Sequence, residues 1–233
     1  MIAKKNILKF CALAATTLFS MQSIAAIQLS NTRVIIDGSR NSGSVTAKNI
    51  SADPFVIQNW VEGPNGEMET PFFVTPPLNR LDGNTDFSLN IRKIEGDLPE
   101  DRESYFWLNV MEIPKAEKDD SNNLTLAIRT RIKIFYRPAG IGSPTEVEKV
   151  LDWSLIRNGN TCQLIVANSS AFNVNFSDIL IDSNKTEFGK GYIALPFSQQ
   201  TVDLKSCPTT GQLQANYVND YGAFIPLPAI QLK

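Results

Sequence analysis

Leu124-Thr125-Leu126-Ala127-Ile128-Arg129-Thr130-Arg131-Ile132-Lys133-Ile134-Phe135-Tyr136 sets aliphatic side chains at Leu124, Leu126, Ile128 and Ile132 against Thr125, Ala127, Arg129, Arg131 and Lys133. Successive side chains of a strand point to opposite faces, so this period of two predicts a β-strand with one aliphatic face and one polar, partly cationic face. Extended over its whole length it would reach on the order of 43 Å at about 3.3 Å per residue, more than a small sheet needs. Two readings follow. The strand packs its own core, or it forms an edge kept open for another chain, because unpaired N–H and C=O groups along an edge invite strand addition. Periodicity alone does not choose between them.

Similar short alternating runs surround it: Val34-Ile35-Ile36, Val56 to Val61, Phe106 to Ile113 and Gln163 to Val166. They are separated by turn chemistry such as Asp37-Gly38, Gly63-Pro64-Asn65-Gly66, Asp82-Gly83-Asn84 and Asn158-Gly159-Asn160. Helical periodicity is nowhere sustained. Strands at this spacing with such turns predict an all-β chain of two antiparallel β-sandwiches. Pro138-Ala139-Gly140-Ile141-Gly142-Ser143-Pro144 lacks alternation and reads as the linker. The expected division is a leader over 1–25, a first domain over 26–143 and a second over 144–233.

The leader is read from Lys4, Lys5 and Lys9, the uncharged apolar run from Phe10 to Ser20, and the small residues of Ser23-Ile24-Ala25. This is the pattern of a secretory signal peptide. The run is about half the roughly 20 residues that cross a bilayer, and no later run compares with it, so no membrane span is expected. Removing the leader takes away three Lys and no acid, so the remainder is more acidic than the whole chain's formal charge of −2. Cys11 leaves with it. Cys162 and Cys207 remain in an oxidising compartment and are expected to pair. Closing that loop would stabilise the fold by roughly 4 kcal/mol in the chain-entropy picture.

The chain has no His. That removes the Ser-His-Asp and Cys-His relays and the usual His-containing zinc sites. Charged residues make up 20% with acid in slight excess, so no basic footprint for nucleic acid exists. Paired carboxylates such as Asp119-Asp120 sit in the polar loop Lys115 to Asn123, with no apolar surroundings to raise a pKa. An exported sugar-binding module stacking Trp60, Trp107 and Trp153 on its ligand is a rival reading, but all three fall in alternating strands, where core packing is expected. Arg33, in the first strand after the leader, and Lys133 are cations that would hold a carboxylate if two sandwiches meeting at an angle brought them together.

Leu98-Pro99-Glu100-Asp101-Arg102-Glu103-Ser104-Tyr105-Phe106-Trp107-Leu108-Asn109-Val110-Met111-Glu112-Ile113-Pro114 resembles the signature of the periplasmic pilus-assembly chaperones, the PapD-like family. Thr32-Arg33-Val34, Thr75 to Leu81, Ile132 to Pro138 and Asn219-Asp220-Tyr221-Gly222 resemble further family segments in the same order. The resemblance implies a boomerang of two immunoglobulin-like domains. It implies pilus or fimbrial subunits and an outer-membrane usher as partners, with no catalysis and no cofactor, and it leaves open whether the free protein pairs with a second copy. By resemblance, Leu124, Leu126 and Ile128 are the donor residues that complete a subunit's sandwich. Arg33 and Lys133 are the anchor for the subunit's C-terminal carboxylate, and Glu103, Arg137 and Asp220 a charged trio bridging the domains. Thr75-Pro76 matches a family turn. Tyr105 departs from the signature, which carries a non-aromatic residue there. Burial of three donor side chains at roughly 1.5 to 3 kcal/mol each sets the scale of the affinity, before ordering costs.

Overall fold

The structure is a computed structural model that describes residues 26–94, 96–113, 126–144, 146–186 and 191–232. The leader, the Lys115–Asn123 loop and Leu124 lie outside the described residues.

The first domain consists of β1 (Ile27–Leu29), β2 (Arg33–Asp37), β3 (Ser42–Asn49), β4 (Phe55–Glu62), β5 (Phe72–Thr75), β6 (Leu78–Leu81), β7 (Asp86–Lys93), β8 (Ser104–Ile113) and β9 (Arg129–Arg137). One layer runs β5-β7-β3, with β1 on β3, and the other runs β2-β9-β8-β4-β6. β2 joins them: it pairs with β3 at Asp37 and Ser42 and runs parallel to β9 from Arg33–Lys133 to Asp37–Arg137. The alternation explains the core. Val34, Ile36, Leu108, Val110, Ile132, Ile134 and Tyr136 point inward, with the opposite parity of the same strands turned out. The Thr75–Pro76 bond between β5 and β6 is cis.

After the Pro138–Pro144 stretch, a single helical turn, α1 (Val147–Val150), leads into the second sandwich. One of its sheets is β10 (Leu151–Asn158), β11 (Thr161–Asn168) and β15 (Ser198–Leu204). The other is built on β12 (Val174–Ile181) and β16 (Gln212–Val218), with β13 (Asn184–Lys185), β14 (Ile193–Ala194), β17 (Phe224–Pro226) and β18 (Ile230–Gln231) added to them. Its core, including Trp153, Leu164, Phe176, Ile179 and Leu213, is separate from the first. Cys162 and Cys207 form the expected disulfide.

Two expectations need correction. Among the described residues the long strand starts at Arg129, opposite Met111, with Leu126 to Ile128 outside it, and the last bond before it is from Glu112 N to Ile128 O at 2.9 Å. β8 runs on to Ile113 and Glu112 still bonds to Ile128, but Leu126 to Ile128 are not themselves part of the ladder. The tryptophans divide. Trp153 is buried in the second core, whereas Trp60 and Trp107 lie on the outward parity of β4 and β8 and are half-buried beneath arginines. Alternation distinguishes two faces of a strand but not which of them is covered.

Candidate functional site: the interdomain cleft and the open edge of β9

The outward face of β2, β9, β8 and β4 turns toward the second domain, because Arg33 Nη1 on that face donates to Val218 O on β16 at 3.0 Å. Parallel pairing puts Arg33 and Lys133 in register on this face. Arg33 lies 5.8 Å from the centre of the Phe135 ring, and Lys133 Nζ lies 5.2 Å from that of Trp107. Neither has a carboxylate within 4.0 Å among the described residues, and the buried Arg33 Nε has no hydrogen-bond partner there. Burial lowers both cations. Asp220 and Glu103 partly offset the effect at Arg33. At Lys133 burial and then the neighbouring Arg33 charge act in the same direction and bring the ammonium down to about 8.

Two half-buried like charges side by side are an unfavourable arrangement unless an anion shares them. A single carboxylate fits: Arg offers a planar fork and Lys a point charge from the adjacent strand. Further along the same face the cations are already partnered. Glu62 accepts from Arg129 Nη2 at 2.6 Å and from Trp60 Nε1 at 2.8 Å and pairs with Arg131 at 3.1 Å, while Arg131 stacks on Trp107 at 4.4 Å. The uncompensated charge is therefore confined to the cleft.

β2 pairs with β9 from Lys133 onward, so the segment from Arg129 to Ile132 is bonded to β8 on one side and has an open edge on the other. Before it, Leu126 is 72% exposed and Ile128 39%. Both share the parity of Ile132 and Ile134, so the core-facing stripe continues past the end of the domain's own core. Leu124 falls outside the described residues.

Arg137 ends β9 and ties the domains together. Its Nη2 donates to Glu103 Oε1 at 2.8 Å, and its Nη1 to Asp220 Oδ2 at 2.9 Å. The other oxygen of Glu103 accepts from Asn173 N and Nδ2, each at 3.0 Å. Glu103 N donates to Ala171 O at 2.8 Å. The Glu103 side chain is 2% exposed and that of Arg137 14%. Burial pushes the Glu103 carboxyl up, against the pull of Arg137 and Asn173. Nothing in the sequence marked Asn173, which bears no motif. Trp107 lies beneath Lys133, although alternation alone assigns it to the core.

Comparison with known proteins agrees with this construction. Residues 26–142 match the model described as "Pili and flagellar-assembly chaperone, PapD N-terminal domain", and residues 146–229 match "Pili assembly chaperone PapD, C-terminal domain". The probable fimbrial chaperone LpfB of Escherichia coli O157:H7 is 40% identical over 222 residues, covering 92% of this chain and 93% of that one. The chaperone FimC of Escherichia coli K12 is 31% identical over 236 residues, 97% and 94% of the two chains. Among solved structures, the E. coli chaperone DraB superimposes with a TM-score of 0.75 at 31% identity over 89% and 96% of the chains. SafB of Salmonella enterica, solved in complex with the SafA pilin, gives 0.76 at 25% identity over 91% and 98%. With both domains matched in order and the two-sandwich fold in place, the chain belongs to the PapD-like family of pilus-assembly chaperones.

Proposed function

We propose that this chain is exported to the periplasm by its first 25 residues, captures pilus or fimbrial subunits there, and passes them to an outer-membrane usher without catalysis or cofactor. Capture is strand donation. The open edge of β9 and the segment before it supply hydrogen bonds and the side chains of Leu124, Leu126 and Ile128 to a subunit whose own sandwich lacks a strand. Arg33 and Lys133 take the subunit's terminal carboxylate. The charged trio Glu103, Arg137 and Asp220 holds the cleft in which that carboxylate sits. The observation that carries the reading is the in-register pair of desolvated cations without an anion, next to an open strand edge that displays apolar side chains.

The carboxylate also fixes register. A strand that slips by one residue turns its other face inward, so pinning one chain end decides which donor side chain meets which site on the subunit. Affinity comes chiefly from apolar burial and position chiefly from the anchor. The test is co-expression of the chain with pilin subunits, followed by periplasmic pull-down and a structure of the complex. A subunit strand on β9 with its C-terminus between Arg33 and Lys133 is expected. A subunit docked elsewhere, with β9 untouched, overturns the reading.

A further inference from the structure

Beside Arg33 the cleft contains a cavity of about 170 Å³, lined by the apolar Val147, Phe172, Val218 and Tyr221 and by the charged Glu103 and Asp220. A cavity of about 150 Å³ is large enough to take benzene, so this one has room for one large side chain. Tyr221 stands at its mouth, 96% exposed. A lone exposed Tyr needs no explanation, but this one is held in place by its turn. Asn219 Oδ1 accepts from Tyr221 N at 3.0 Å and Ala223 N at 2.9 Å, and Arg137 holds Asp220. The turn also rests on the first domain: a Cβ on Gly222 would come 2.5 Å from Thr32 Oγ1, one residue before Arg33. A rigid turn thus presents an aromatic ring, without a hydrogen bond or ring contact of its own among the described residues, over a ring-sized cavity next to a carboxylate-seeking cation.

We propose that this cavity receives the side chain of the client's last residue, that Tyr221 closes over it, and that the clients selected are chains ending in a large apolar or aromatic residue. The inference rests on the carboxylate-anchor reading of Arg33: a terminal carboxylate on that guanidinium brings the same residue's side chain to the cavity. Tyr221 is then a specificity-determining residue, contributing apolar contact area from the second domain while the first domain holds the charge.

The test uses the full chaperone without client and peptides identical except for the last residue, Phe, Leu, Gly or Asp, each as free acid and as amide. Binding is read by NMR titration, which follows millimolar as well as tighter complexes. Phe- and Leu-ended acids are expected to bind at least about tenfold tighter than the Gly-ended acid, with shifts at Val218 and Tyr221. Tyr221→Ala should cut that ratio to about threefold or less, and Tyr221→Phe should keep it. Equal affinities for Phe and Gly endings, a preference indifferent to Tyr221→Ala, or no shift at these residues overturns the proposal. The amide peptides judge the anchor separately: if amidation changes no affinity, the carboxylate reading fails, whatever the side-chain series shows.

Discussion

Arg33 and Lys133 are in-register partners across the parallel β2–β9 pair, their charges side by side and no carboxylate within ion-pair reach of either among the described residues. The fold keeps this arrangement at a cost to its own stability, since Lys133 is both desolvated and repelled. Removing one cation should therefore leave the free protein at least as stable. Lys133→Ala is expected to melt at or slightly above the wild-type temperature, while subunit capture weakens by about 2 to 5 kcal/mol, or 30-fold and more. Calorimetry of the free variant and pull-down of the subunit check the two halves. A variant that captures subunits normally removes Lys133 from the site.

If Lys133 holds the subunit's carboxylate as proposed, capture should depend on pH. In the free chaperone the Lys133 ammonium titrates near 8, below the ordinary 10.5. A bound carboxylate favours the charged form and raises that value again, so binding takes up a proton when free Lys133 is neutral. Affinity should be flat below about pH 7.5 and fall as pH rises through 8, by up to tenfold per unit. Isothermal titration at pH 8.5 in two buffers of different ionisation heat should reveal the proton uptake. In the absence of client the sign reverses: between 8 and 10.5 the unfolded chain holds more protons at this lysine than the folded one, so Lys133 makes the fold gain stability with rising pH. Affinity constant to pH 9.5 would contradict this assignment.

Leu126, exposed on the core-facing parity, probes strand donation apart from the anchor. Leu126→Asp places a charge where the proposed donation sends an apolar side chain into the subunit, at a cost of several kcal/mol. The free chaperone should fold and melt as the wild type does, because this side chain touches no core of its own. Subunits co-expressed with it should aggregate or be degraded. Assembled pili at normal levels in that strain would remove Leu126 from the donor set.

The two-sandwich fold was legible because alternation and turn chemistry are local. Val34, Ile36, Ile132 and Ile134 declare their inward face within a few residues, and Cys162 and Cys207 were the cysteines left to pair. What the sequence hid is set by neighbours distant in the chain. The start of β9 at Arg129, after the aliphatic Leu126 and Ile128, is marked by no change of period within the segment itself. Trp60 and Trp107 went to the outward face because arginines on β9 and Glu62 cover them there, a matter of cross-strand register. The adjacency of Arg33 and Lys133 needs a parallel pairing between strands far apart in the chain, so resemblance could name the pair but spacing could not join it. Asn173 is the extreme case, an ordinary loop amide whose role exists only because Glu103 is buried beside it.

Glu103 and Arg137 give the sharpest test of how the cleft is held. Arg137 is the cation that pairs with Glu103, and the Glu103 side chain is almost wholly buried. Arg137→Ala leaves that carboxylate buried with Asn173 as its remaining side-chain partner, and breaking a buried pair in this way costs about 3 to 5 kcal/mol. It also releases Asp220, and with it the turn that rests on Thr32. The variant should melt well below wild type and show a broader interdomain distance distribution by small-angle scattering. Glu103→Gln keeps the shape and the hydrogen bond to Asn173 Nδ2, and removes the charge that burial disfavours. Arg137→Ala combined with Glu103→Gln should therefore recover part of the lost stability while the domains stay loosened, because Asp220 is still released. Additive losses in the double variant would mean that the two residues act independently and that the cleft angle is set by something other than this pair.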